Sequence, residues 1–286
     1  MIQVRIFILF ISVLVSVGVH SQNTVLWKVT DTLNQKSSFI LGTFHQFGNS
    51  FVDSIPEIKA YLLQSDIAVF ESIENVELIR GLINQRESSK KIKKHLNKEE
   101  LLKLLEIAKD WKVDLYKLKP IEIRWKLQQE YQKRICRTSI PEDDFDEMDG
   151  YIEYLAREHQ IEVVGLESDQ LEMVNKVSGY PSWKKEKASI RFWIRKLFED
   201  QATEEYCILA NKYRVFDIEY EFEKECEQGY LIQGRNNLWM KKILEITRTQ
   251  NAFIAVGYRH LIWKCGLLEQ LRQEGFTIEP VKLIRE

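Results

Sequence analysis

Apolar and polar positions along this chain follow two rhythms. Short apolar runs closed by a glycine or a charge mark strands, and longer stretches with apolar residues every three or four positions mark helices. The first strand-like run covers residues 24–30, with Val25, Leu26, Trp27 and Val29. A polar turn over 31–36 and a second run at 38–42 complete a predicted β-hairpin. Ser54-Ile55-Pro56-Glu57 has the form of a capping box with proline in the first turn, and predicts a helix through Leu63. Asp66-Ile67-Ala68-Val69-Phe70 then reads as a buried strand ending at Glu71. This β-α-β order predicts a parallel pair joined by a right-handed crossover.

The middle of the chain is helical by the same criterion. Asn97 with Glu100 caps a helix carrying Leu101, Leu104 and Leu105, Lys119-Pro120 opens another to about residue 134, and 149–159 forms a third. A strand at 162–165 runs into Leu166-Glu167. Residues 181–250 return to helical spacing, including the acidic stretch 217–227, which reads as a solvated helix with buried aromatics. Phe253-Ile254-Ala255-Val256 is a last buried strand closed by Gly257, followed by a helix over 261–274 and a strand over 276–281. The expected architecture is α/β (mixed α+β): one central mixed sheet flanked by helices, with a large helical insertion.

The N-terminus has a different character. One arginine precedes an almost wholly apolar run over 6–17, and Val19-His20-Ser21 offers small residues where a signal peptidase reads. The run is short of the ~20 residues a bilayer span requires. The expectation is therefore a signal peptide over 1–21 and a single domain over 22–286, exported to the periplasm or the extracellular space, with no stable membrane span after cleavage. Lys and Arg total 41 and Asp and Glu 43, a near-neutral balance that gives no case for nucleic acid. Cys136, Cys207, Cys226 and Cys265 include no C-x-x-C spacing, which excludes zinc-ribbon and thioredoxin readings. They allow three full pairings, or buried free thiols.

Two distant segments share a pattern. Phe39-Ile40-Leu41-Gly42-Thr43-Phe44-His45 and Phe253-Ile254-Ala255-Val256-Gly257-Tyr258-Arg259-His260 are both apolar runs that stop at Gly-x-x-His. Gly42 and Gly257 mark tight turns at strand ends, and each histidine falls just past its strand. Glu71 and Glu167 also follow predicted strands. If these strands lie parallel in one sheet, all four groups meet at one edge, where open α/β sheets bind ligands. Two imidazoles with carboxylates suit Zn, Mn, Co or Fe and are poor for Ca or Mg. Arg235-Asn236-Asn237 stands at a helix start; the residues alone give an N-cap by asparagine, with Arg235 placed to clamp an anion.

Taken in order, Leu26-Trp27-Lys28, Leu41-Gly42-Thr43-Phe44-His45, Val69-Phe70-Glu71, Gly165-Leu166-Glu167 with Gln170 after it, Arg235-Asn236 and Val256-Gly257-Tyr258-Arg259-His260-Leu261 resemble the TraB/GumN family. The Tiki metalloproteases of animals are similar. The resemblance implies a domain built from two related halves and a metal-dependent hydrolase site. It implies His45, His260 and Glu71 as metal ligands, Glu71, Glu167 and Arg235 as catalytic groups, and Asn236 as a substrate contact. Mn or Co is the metal implied by the Tiki branch, with Zn equally suited to the donors. Tyr258-Arg259 is bulkier than the pair common in the family. The expected function is an exported metal-dependent hydrolase acting on a peptide or small-molecule substrate, most simply a peptidase. The alternative is a non-catalytic protein of the same fold that binds haem or a peptide.

Overall fold

Residues 23–73, 76–167, 182–199, 203–226 and 229–285 are described by the computed structural model; the expected signal peptide and Gln170 lie outside them. Two strands are apolar and buried at every position: β3 (Ile67–Phe70) and β5 (Ala252–Gly257). Strands of that kind must be covered on both faces, and both are interior strands of a six-stranded mixed sheet. The other strands are β1 (Leu26–Asp31), β2 (Lys36–Thr43), β4 (Glu162–Gly165) and β6 (Thr277–Pro280). The order across the sheet is β4-β3-β5-β2-β1-β6.

β4, β3, β5 and β2 all pair in parallel, so their C-terminal ends share one edge, which meets the condition under which the four site groups converge. One connection differs. β2 and β3 are parallel but not adjacent, because β5 lies between them. The last of the four parallel strands takes this inner slot, and it has the longest fully buried run. β1 and β2 form the expected hairpin, registered from Leu26 opposite Leu41 to Asp31 opposite Lys36. Its turn is held by the Asp31 carboxylate, which accepts from the Leu33 and Asn34 amides, and by Gln35 at φ 55.

The helices are α1 (Asn49–Asp53), α2 (Pro56–Leu63), α3 (Val76–Asn84), α4 (Ile92–His95), α5 (Lys98–Ile107), α6 (Pro120–Glu130), α7 (Met148–Glu158), α8 (Trp183–Glu199), α9 (Glu204–Arg214), α10 (Arg235–Thr249) and α11 (Leu267–Gln273). α7 packs on β3, β4 and β5, and α10 packs on β2 and α11. α5 and α6 pack on α8, forming the helical insertion. The Asn97–Glu100 capping box is present in both directions, and α6 starts at Pro120 as predicted, continuing into a π-helical turn at Tyr131–Ile135.

Local expectations fail at four places, one being the helix expected over 261–274, which begins only at Leu267. Ser54 does not cap α2: the residue before Pro56 is Ile55, and the Ser54 hydroxyl instead donates to the Phe51 carbonyl at the end of α1. Residues 217–226 are not helical. Phe216 and Glu221 take left-handed backbone angles (φ 60 and 43), and Tyr220 is buried with its hydroxyl donating to the Thr24 carbonyl. Tertiary anchoring of that aromatic overrides the local pattern. Asn236 is not an N-cap, because a π-helical turn at Tyr230–Gly234 runs directly into α10.

All four cysteines pair, Cys136 with Cys207 and Cys226 with Cys265. Among the described residues, no helix is long and apolar enough to cross a membrane. The core runs through the sheet and into the aromatic side chains Trp27, Tyr213 and Trp239. Each fully buried Leu or Ile of β1 and β2, such as Leu26, Ile40 and Leu41, contributes about 1.5–3 kcal/mol of apolar burial.

Candidate functional site at the sheet edge

The parallel register brings the matched motifs together. Gly42 pairs with Val256 and Thr43 with Gly257, so the two Gly-x-x-His segments leave neighbouring strands one residue out of step. β3 and β4 continue pairing past their ends: the Leu166 amide donates to the Phe70 carbonyl and the Glu167 amide to the Glu71 carbonyl. Glu71 and Glu167 therefore stand side by side. Gly42 is required by close packing, since a Cβ there would lie 2.8 Å from Leu261 Cδ1 and 3.0 Å from the Tyr258 Cα. A Cβ on Gly257 would meet Glu71 Oε1 at 3.1 Å and His45 Nε2 at 3.3 Å. The bare glycine thus opens the space between these two groups.

Arg235 occupies the centre of the cluster. Its Nε donates to Glu167 Oε1 at 2.6 Å, and its Nη2 donates to Glu71 Oε2 at 2.6 Å and Glu167 Oε2 at 3.2 Å. Nη1 makes only long contacts, 3.3 Å to His260 Nε2 and 3.5 Å to the Leu231 carbonyl. The guanidinium also lies over the Trp239 ring, 4.5 Å from its centroid, and that indole packs against His260. An arginine in the first turn of α10 places Trp239 one turn later on the same face.

His260 is 3 % exposed, and its ring orientation follows from Asn236. The Asn236 amide nitrogen donates to the carbonyls of His260 (3.0 Å) and Cys265 (2.8 Å). Flipping the amide would set oxygen against two oxygens, so Asn236 Oδ1 is the acceptor facing His260 Nδ1 at 2.6 Å. Nδ1 then carries the hydrogen and Nε2 a lone pair. That lone pair lies 3.6 Å from Glu71 Oε1. Burial pushes the His260 imidazole down to about 4 despite the opposing pull of Glu71, so the ring is neutral near pH 7.

Burial alone would raise the Glu71 carboxyl. The two histidines, Arg235 and the Gly257 N–H outweigh it and hold the group down at about 2. The Gly257 amide donates to Glu71 Oε1 at 2.7 Å. His45, whose side chain is half exposed, is held by a partner the sequence did not reveal. Its Nδ1 contacts Asp149 Oδ2 in the first turn of α7, and the Thr43 hydroxyl donates to Asp149 Oδ1 at 2.7 Å. The Met148 amide donates to the His45 carbonyl at 3.1 Å, which ties the same two segments together. The Asp149 charge raises the His45 pKa well above the ordinary histidine range.

The structure thus brings His45, Glu71, Glu167, Arg235 and His260 to one edge, with Gly42 and Gly257 as the close-packed turns. Asn236 is fully buried behind His260, where it positions the ring instead of facing a substrate. Both oxygens of Glu167 lie on Arg235, so it orients the guanidinium and is not a free base. Asp149, Thr43 and Trp239 were given no site role from sequence. Thr43 sits inside the first motif, which was its only signal; Asp149 lies 104 residues from His45 and carries none.

As the side chains lie, no three His, Cys, Asp or Glu groups among the described residues surround one point as an ion's ligands would, and Arg235 fills the space between Glu71, Glu167 and His260. The donor chemistry nevertheless fits a divalent cation. Each imidazole presents Nε2 to the site while Nδ1 is held by an oxygen, the arrangement that orients ligating histidines, and Glu71 Oε1 lies 3.6 Å from His260 Nε2 and borders the same Gly257 opening as His45 Nε2. These groups form the floor of an open cleft of about 360 Å³ whose walls include Phe44, Leu209, Leu231, Ile232, Tyr258 and Arg259. Larger hollows beside Arg214 and beside Tyr61 are lined by no histidine.

Comparison with the curated proteins and with the solved structures finds no match. The model of the TraB/PrgY/gumN family matches residues 25–280, from the start of β1 to the end of β6 and across every residue of the cleft floor, and the chain belongs to that family.

Proposed function

We propose that the protein is an exported metal-dependent hydrolase whose substrate is a peptide. The observation that carries this reading is the pair of oriented imidazoles beside Glu71: His260 Nε2, bare by virtue of Asn236, faces Glu71 Oε1 at 3.6 Å, and His45 Nε2 borders the same Gly257 opening. His45, His260 and Glu71 would hold a divalent cation, with Mn, Co or Zn suited to two nitrogens and a carboxylate. Such an ion supplies Lewis-acid polarisation of a carbonyl and acidifies a water molecule toward neutral pH.

The chain's own groups divide the remaining work. Glu71 is ionised at neutral pH and its Oε1 faces the cleft, where it accepts a proton from an attacking water or ligates the ion. Glu167 fixes the guanidinium of Arg235 bidentately, and Arg235 Nη1, with only long contacts of its own, is the donor left for a substrate oxygen as charge develops there. Asp149 and Asn236 hold the two rings. The apolar segment at 6–17 and two disulfides support export, because disulfides persist in oxidising compartments.

The test is metal content and peptide cleavage by wild type, His45→Ala and His260→Ala, each loaded with Mn, Co or Zn and then desalted. Wild type is expected to retain close to one ion per chain and each variant to lose it while keeping its circular dichroism spectrum. Equal metal content in all three proteins would remove the reading.

A further inference from the structure

On the hydrolase reading, we propose that the cleft selects an extended peptide by a large apolar side chain, seated against Phe44, Leu209, Leu231, Ile232 and Tyr258, with an acidic residue next to it directed at Arg259. Single exposed aliphatic side chains are ordinary on protein surfaces. Here Leu209 is 40 % and Leu231 45 % exposed, and both line the cleft whose floor is the histidine and carboxylate cluster. They converge from two separate elements. Leu209 is on the outer side of α9, whose inner side buries Cys207, Ala210 and Tyr213. Leu231 and Ile232 belong to the π-helical turn that runs directly into Arg235.

These walls are fixed relative to the floor. Tyr213 of α9 donates its hydroxyl to the Gly42 carbonyl at 2.6 Å, at the turn that delivers His45. Phe44 and Tyr258 stack nearly parallel, with ring centroids 6.1 Å apart, and each belongs to one of the two Gly-x-x-His segments. A polar or sugar-like substrate would leave this wall facing water. An aliphatic or aromatic side chain would cover it, and a cleft of about 360 Å³ is of the size that takes a small ligand or a short stretch of peptide. Arg259, also on the cleft, is exposed and forms no hydrogen bond or ion pair with any described residue. Its uncompensated charge favours a neighbouring carboxylate and disfavours a lysine.

The test uses short fluorescein-labelled peptides of Gly and Ser that carry Leu or Ser at one position, followed by Glu or Lys. Binding to the mature chain with Mn is read by anisotropy, and cleavage of the unlabelled peptides by mass spectrometry. The Leu-Glu peptide is expected to bind at least about tenfold more tightly than Ser-Glu, the factor expected from burying one leucine. Leu231→Asp should abolish that preference, and Arg259→Glu should reverse the preference for Glu over Lys, with folding checked by circular dichroism. Equal binding of the Leu and Ser peptides, no binding of either, or a preference that survives Leu231→Asp would overturn the proposal. A Leu preference in binding with no cleavage under any metal keeps this subsite and removes the hydrolase reading. Cleavage without Leu preference does the reverse.

Discussion

Asn236→Ala gives the sharpest test of how the site is held. The substitution deletes an amide that is 0 % exposed and serves three partners: His260 Nδ1, the His260 carbonyl and the Cys265 carbonyl. The Cys265 carbonyl keeps a second donor, the Gln270 side chain at 2.8 Å, so its loss is partial. The other two groups are left buried without a partner, at about 1–3 kcal/mol each. The expected destabilisation is therefore about 4 kcal/mol, which at a urea dependence of about 3 kcal/mol per molar lowers the midpoint by a little over 1 M. Exposed Asn237 on the same helical turn is the control, and Asn237→Ala should stay within about 0.5 kcal/mol of wild type. Nitrogen-15 spectra of the imidazoles read the tautomer directly: hydrogen on Nδ1 of His260 in the wild type, and a mixture of tautomers in the variant. A midpoint change in Asn236→Ala no larger than in the control, or hydrogen found on Nε2 in the wild type, would refute the reasoning.

Asp149→Asn should weaken Mn or Zn binding by about 10–100-fold, the usual effect of removing the partner that orients a ligating histidine; isothermal titration calorimetry checks it. The Asp143 carboxylate accepts from the Ser50 and Ile140 amides at 2.8 Å each and from the Ser139 hydroxyl. Burial raises this carboxyl, but those bonds outweigh it and hold it below its ordinary value of 3.8. A depressed carboxylate adds stability above its unfolded pKa and loses it as pH falls through the folded one. Asp143→Asn should therefore cost about 1–3 kcal/mol at pH 6, and its deficit against wild type should shrink as pH drops below about 4; a pH-independent deficit would contradict this. Opening the Cys226–Cys265 bridge, which closes a separation of 39 residues, should cost about 4 kcal/mol by the loop-entropy relation. Because Asn236 bonds the Cys265 carbonyl, Cys226→Ser with Cys265→Ser should also broaden the His260 resonances.

The residues that carry the site were largely legible in the sequence, because each lies at the end of a short apolar run or in a named motif. His45, Glu71, Glu167 and His260 were located by that criterion. Local chemistry was legible wherever it decided the outcome: the Asn97–Glu100 capping box, Pro120 at the start of α6 and the hairpin turn after Asp31 are all present. It failed where distant contacts prevailed. Residues 217–226 have helical composition, yet Tyr220 is anchored to Thr24 and the backbone leaves the helix. Asn236 has the identity of an N-cap, yet the preceding π-helical turn carries the helix past it.

How these groups relate to one another depends on long-range packing. A sequence pattern shows that a strand is buried but not which strand lies beside it, since burial is satisfied by any apolar neighbour. The insertion of β5 between β2 and β3, the pairing of His45 with Asp149, and the capture of both glutamates by Arg235 depend on contacts between segments more than 60 residues apart. Hydrogen bonds at that separation leave no trace in local periodicity. Local residue order sets which side chains stand at strand ends; parallel packing of four strands makes them share one cleft, because only a common direction puts their ends on the same edge.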